Sequence, residues 1–152
     1  MSFEYSYSGF GGSGGIDLTL LPNKTFDEIA KNALETVRPD VESATKEALR
    51  GSIQHSGASE LVSSVKCFEP RMTRNKEGAV ISCQPTGSAS SGNRYNNQGR
   101  SHKVHNNDKA FWLEYGNAHQ DARPWKDRAV NKAESRSMSK LEDAIAKELG
   151  AE

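Results

Sequence analysis

Large aliphatic and phenyl side chains are scarce in this chain. Leu, Ile, Val and Phe number 9, 5, 7 and 5, so 26 of the 152 residues are available to fill a core. That is about one residue in six, below the roughly 20% that marks a well-filled globular interior. Low apolar content combined with high net charge excludes folding, but here 20 basic side chains balance 20 acidic ones and periodic apolar stretches remain. A thin core is expected, within a single domain. No apolar run approaches the roughly 20 residues of a membrane-spanning helix, which excludes an α-helical membrane protein. Only two cysteines occur, Cys67 and Cys83, without C-x-x-C spacing and with no secretory-type apolar segment before them. They are expected as reduced thiols in a cytosolic setting, facing each other across a hairpin.

The zero net charge removes any overall attraction to nucleic acid or membrane, yet it conceals a pattern. Residues 1–70 carry 6 basic and 10 acidic side chains, 71–128 carry 10 and 5, and 129–152 carry 4 and 5. A basic middle between acidic flanks suits head-to-tail contact between identical subunits, as well as scattered, salt-screened surface charge.

Residues 1–15, MSFEYSYSGFGGSGG, set aromatics among Ser and Gly. They are expected as a flexible arm, either a frayed terminus or a segment that packs on an adjacent subunit. Residues 16–152 are expected as one α+β domain. From Thr25, which with Glu28 makes a capping box, Phe26, Ile29, Ala30, Ala33, Val37, Val41, Ala44 and Ala48 recur at helical steps. The helix is expected to pass Pro39 with a kink and to stop near Gly51. A short helical turn within 56–65 should lead into a hairpin whose strands are Lys66–Arg71 and Ala79–Gln84, with Thr73–Gly78 as the turn. Residues 85–108 hold almost no large apolar side chain and are expected as a long, mobile, protruding loop. Capping residues Ser139 and Glu142, with stripes Trp125/Ala129/Ala133 and Met138/Leu141/Ile145/Leu149, place one bent helix or a helix pair at the C-terminal end. The expected fold is thus a long N-terminal helix packed on a three- to four-stranded antiparallel sheet, followed by C-terminal helical structure.

Motifs of catalysis are missing. His102 and His105 with His119 have ligand-like spacing, but a Ser/Gly/Asn loop supplies neither rigidity nor supporting partners for zinc. No G-x-S-x-G elbow accompanies the cysteines or serines, and the glycine-rich GFGGSGG has no preceding strand. No catalytic residue, metal, cofactor or small-molecule substrate is expected. Arg71, Arg74, Lys76, Arg94, Arg100, Lys103 and Lys109, with Tyr95 as a stacking ring, keep open an alternative, a nucleic-acid-binding module using the basic hairpin and loop.

One segment is distinctive. Phe111, Trp112 and Tyr115 place three of the eleven aromatics within five positions, next to Gly116, and Ala122-Arg123-Pro124-Trp125 follows a short polar gap. This reads as an aromatic strand that turns at Gly116 and feeds a helix starting at Pro124. Glu114, between Leu113 and Tyr115, is expected to need a cation, with Arg123 the nearest.

Leu61, Ser64 and Val65, then Glu114-Tyr115-Gly116, then Ala122-Arg123-Pro124-Trp125 with Ala129, stand in an order that resembles the minor tail component, or neck, family of long-tailed bacteriophages. Ser56-Gly57 lies two residues early for that pattern, and Asn117 stands where the family has threonine. The resemblance spans roughly Thr25 to Leu149. It implies a virion structural protein of the head-to-tail junction or tail top, acting by ring assembly around the DNA path. It further implies other neck or tail proteins as partners, with residence in the host cytoplasm during assembly. Arg94, Tyr95, Arg100 and Lys103 are then the candidate interface or DNA-facing residues.

Overall fold

The computed structural model describes residues 4–6, 26–54, 58–74, 78–95 and 101–150. The chain is α+β, with a long N-terminal helix, a small antiparallel sheet and C-terminal helices, as its patterning predicts. In order it forms β1 (Glu4–Ser6), α1 (Phe26–Arg50), α2 (Ala58–Ser63), β2 (Val65–Cys67), β3 (Arg71–Met72), β4 (Ala79–Pro85), β5 (Ser88–Tyr95), β6 (Ser101–His105), α3 (Asn106–Tyr115) and α4 (Lys126–Glu148).

Helix α1 runs unbroken through Pro39 and buries Ile29, Ala33, Val37, Val41, Ala44 and Ala48 of the expected stripe, joined by Leu34 and Leu49, while Phe26 is exposed and Ala30 only partly buried. Alanine on that stripe allows α4 to approach closely, with Ala129, Ala133, Ser137 and Leu141 at steps of four as its buried face. The two helices are antiparallel, since Arg128 donates to Ser52, Arg136 meets Glu47 and Lys140 meets Asp40 in opposite chain directions. The C-terminal part is therefore one continuous helix. Along the seam Arg136 grips Glu47 in a two-pronged pair at 2.9 Å each, and Lys132 adds a third contact at 3.3 Å. These cations hold the Glu47 carboxyl far below its ordinary range, at about 2.

Strand β4 organises the sheet. It pairs antiparallel with β1 on one edge (Ser6 opposite Val80) and with β2 and β3 in succession on the other. Ala79, Ile81 and Cys83 alternate toward α1 and join its core cluster with Val37, Val41 and Leu141. Cys67 opposes Cys83 and Arg71 opposes Val80, so four residues on one strand answer three on the other. Pro70 sits in that one-residue bulge, where no ladder hydrogen bond is demanded of it. The expected hairpin is present, and its two cysteines form a disulfide with Cα atoms 4.0 Å apart. The cysteines face each other across the hairpin, as expected, and the expectation of reduced thiols is corrected, because directly opposite strand positions bring the two sulfurs within bonding reach.

Three other expectations change. Within the N-terminal arm, Glu4–Ser6 form β1, while the remainder of residues 1–15 lies outside the described residues, as does Thr25 of the expected cap. The stretch 85–108, expected as loop, carries the two-stranded ribbon β5–β6 and the first residues of α3. Sheet pairing needs backbone partners rather than apolar side chains, so a polar sequence can pair with itself. The aromatic segment is helix, not strand. Asn106–Tyr115 contains no β-branched residue, carries Asp108 in its first turn, and buries Ala110 and Leu113 three positions apart.

Candidate assembly corner at the α3–α4 junction

The distinctive residues of the sequence meet where α3 turns into α4. Gly116 follows α3 with φ at 75°, and its N–H closes the helix on the Trp112 carbonyl at 2.8 Å. A Cβ at this position would stand 2.9 Å from the Ala122 nitrogen and 3.1 Å from the Gln120 carbonyl oxygen. Only glycine fits, for conformation and for space together. The next residues fold into a tight turn. Asn117 and Gln120 exchange backbone hydrogen bonds, and the Asn117 carboxamide oxygen accepts from the N–H groups of His119 and Gln120 at 2.8 and 3.1 Å. Asparagine thus performs this turn with the side-chain-to-backbone bonding it favours.

The chain then returns alongside α3. The Arg123 N–H donates to the Leu113 carbonyl at 2.6 Å, and Trp125, 3% exposed, packs among Ala48, Leu49, Leu61, Val65, Ala110 and Leu113. Its indole N–H reaches the Ala110 carbonyl at 3.0 Å. Helix α4 begins at Lys126 rather than Pro124, two residues later than expected, and Arg128 holds the Pro124 carbonyl through Nε and Nη2 at 3.1 and 2.8 Å.

Glu114 differs in role from the expectation. Its Oε2 accepts the N–H groups of Trp125 at 2.8 Å and Lys126 at 3.1 Å, and among the described residues no ion pair joins it to Arg123. A helix N-terminus presents unpaired N–H groups and a partial positive charge, so the α4 start serves as the cation that Glu114 needs. Trp125 makes no side-chain cap of its own, and Glu114 caps α4 from another helix. Sequence spacing did not reveal this, because the acceptor lies eleven residues before its donor.

On the outer side of the corner Phe111 and Tyr115 remain 40% and 56% exposed, with ring centroids 4.7 Å apart. The Lys126 ammonium sits 4.9 Å over the Tyr115 ring and 3.3 Å from its hydroxyl. This is an aromatic patch with a cationic edge. The structure thus gathers Phe111, Glu114, Tyr115, Gly116, Arg123, Pro124 and Trp125 at one junction, with Trp112 half-buried on the same helix.

The basic residues are distributed differently. Arg94 and Tyr95 lie near the outer end of β5, opposite His102 and Ser101, and Lys103 is exposed on β6 opposite Asn93. Arg100 and Lys76 lie outside the described residues. The ribbon is anchored at its base: the Thr86 N–H and hydroxyl both donate to the Ser64 carbonyl at 2.9 Å, and Asn106 donates from its side chain to Thr86 and from its backbone to Gly87. Among the described residues no cluster of three or more His, Cys, Asp or Glu side chains is placed to hold a metal. No described helix is long and apolar enough to cross a membrane.

Compared with protein-family models, with curated proteins and with solved structures, the chain matches none.

Proposed function

We propose that the chain is a structural subunit of a long-tailed bacteriophage virion, at the head-to-tail junction or the top of the tail, working by ring assembly around the DNA path. One observation carries the reading. The polar groups of the distinctive corner are spent on the chain's own backbone, Glu114 on α4 and Trp125 on α3, while the rings of Phe111 and Tyr115 face outward. Residues arranged in this way set an angle between helices and present a surface. They match in order the motifs of the neck and tail-completion proteins that the sequence resembles. The ribbon β5–β6 is the second element of the reading, a polar arm fixed at its base and carrying Arg94, Tyr95 and Lys103 outward along its strands toward a neighbouring subunit or the DNA. The subunit needs no cofactor and no small-molecule substrate in this role, and its partners are copies of itself and other neck or tail proteins.

Size-exclusion chromatography with light scattering tests the proposal on the full chain, alone and with the other neck and tail proteins of one phage. A ring or a joint complex is the expected result, and Phe111→Ser with Tyr115→Ser should weaken it while leaving the fold intact. A chain that stays monomeric in every combination overturns the assembly reading. If the free chain instead binds duplex DNA with an affinity that falls steeply with salt, the nucleic-acid-binding alternative takes its place.

A further inference from the structure

The two cysteines are the chemically distinctive pair that the assembly reading leaves unused. Cys67 and Cys83 oppose each other on β2 and β4, and the adjacent Phe68 N–H donates to the Ser82 carbonyl at 2.8 Å. Alternation along an antiparallel pair therefore puts the cysteines at the non-hydrogen-bonded position, where opposite side chains are closest. The Cys67 N–H, pointing away from β4, donates to Oε2 of Glu42 on α1 at 3.3 Å. That bond covers the outer edge of β2, which is only three residues long.

The two sulfurs differ in access. Cys83 is 1% exposed and belongs to the core under α1, whereas Cys67 is half-buried and lines a surface groove of about 770 Å³. Small ligands fill sites of roughly 300–1,000 Å³, so the groove is large enough for a small thiol. Its walls carry Arg38, Lys46, Arg50 and Lys66 against Glu42 and Glu47, an excess of positive charge that favours an approaching thiolate.

We propose that Cys67–Cys83 is a thiol–disulfide exchange site, attacked by small thiols at Cys67 Sγ, that fastens and releases the edge strand β2. The thiolate of a small thiol bonds to Cys67 Sγ and the bond between the two cysteine sulfurs breaks. Cys83 leaves as a thiolate and takes a proton. A second small thiol then attacks the mixed disulfide, giving the oxidised small-molecule disulfide and the Cys67 thiol. The net change is two electrons and two protons from two small thiols to the protein. In the reduced form β2 keeps its short ladder and the Glu42 contact but loses its covalent tie to β4.

The test uses the native full chain with glutathione as the probe, acid quenching, and peptide mass mapping of the adducts. Mixed disulfide should accumulate on Cys67 over Cys83 by about tenfold or more, because access and the sulfur attacked set the rate. The preference should vanish in urea. Full reduction should lower the urea midpoint of the wild-type chain. Cys83→Ser should leave a Cys67 that takes up glutathione from its oxidised form in the native state, and Cys67→Ser a Cys83 that does not. Equal labelling, preference for Cys83, no native reaction at thiol concentrations that reduce the unfolded chain, or failure of diamide to join the two sulfurs would each overturn the proposal. The wild-type measurement decides the matter even if a variant fails to fold.

Discussion

The indole N–H of Trp125 donates to the carbonyl of Ala110 at 3.0 Å in a buried position, so the residue that opens α4 hangs from the middle of α3. Trp125→Phe keeps most of the packing and removes this donor, and should cost about 1 kcal/mol in urea denaturation. Trp125→Ala should cost about 3–5 kcal/mol, because it also empties the space among Leu49, Leu61 and Leu113. Equal effects of the two substitutions would show that the hydrogen bond, not the ring, holds the corner.

Gly116 and Gly87 both have positive φ, 75° and 73°, but a side chain at Gly116 meets backbone atoms and one at Gly87 meets open space. Gly87→Ala should therefore show the conformational cost alone, about 1 kcal/mol. Gly116→Ala should show that cost plus displacement of the Gln120–Ala122 turn, and so a clearly lower urea midpoint. Identical midpoints for the two variants would contradict the close approach at Gly116.

Glu114→Ala should destabilise the chain by about 1 kcal/mol, the usual cost of losing a helix N-terminal acceptor. Because Glu114 bonds the α4 backbone and not the Arg123 guanidinium, Arg123→Ala should add to it within about 0.5 kcal/mol. A coupling well above that would restore the ion pair suggested by the sequence.

Glu47 gives an acid-side signature. Its folded-state value, about 2, lies below the ordinary 4.5, so the unfolded chain takes up the proton first as pH falls. The stability it contributes is complete above about pH 5 and is lost progressively as pH drops through 4.5 toward 2. Melting temperatures of wild type and Glu47→Gln should therefore differ most near neutrality and converge by about pH 2. Salt should shrink the difference at neutral pH, since the cluster with Arg136 and Lys132 is solvent-exposed.

Helix α1 and the β2–β4 hairpin were legible in the sequence because their signals are local: a stripe at steps of three and four, and a β-branched strand beside a polar turn. Helix α3 was not. A cluster of aromatics reads as strand over seven residues, and the buried series Asn106, Ala110 and Leu113 becomes visible only when Asn106 is included. The ribbon was hidden for another reason, since its polar strands gain their structure from backbone pairing. The role of Glu114 depends on the path of a returning chain, which is not written in the spacing of residues, whereas the facing of Cys67 and Cys83 across the hairpin was legible and their bonding was not. The residues that form the corner could still be picked out, because Gly116, Pro124 and the rings are conspicuous; what each of them touches could not.

Strand β6 ends at His105 and α3 begins at Asn106, with no residue between them to act as a hinge. Asn106 bonds the Thr86 carbonyl with its side chain and the Gly87 carbonyl with its backbone, so the first residue of α3 also fastens the base of the ribbon. The same helix ends on Glu114, which accepts the N–H groups of Trp125 and Lys126, so α3 joins the base of the ribbon at one end to the start of α4 at the other.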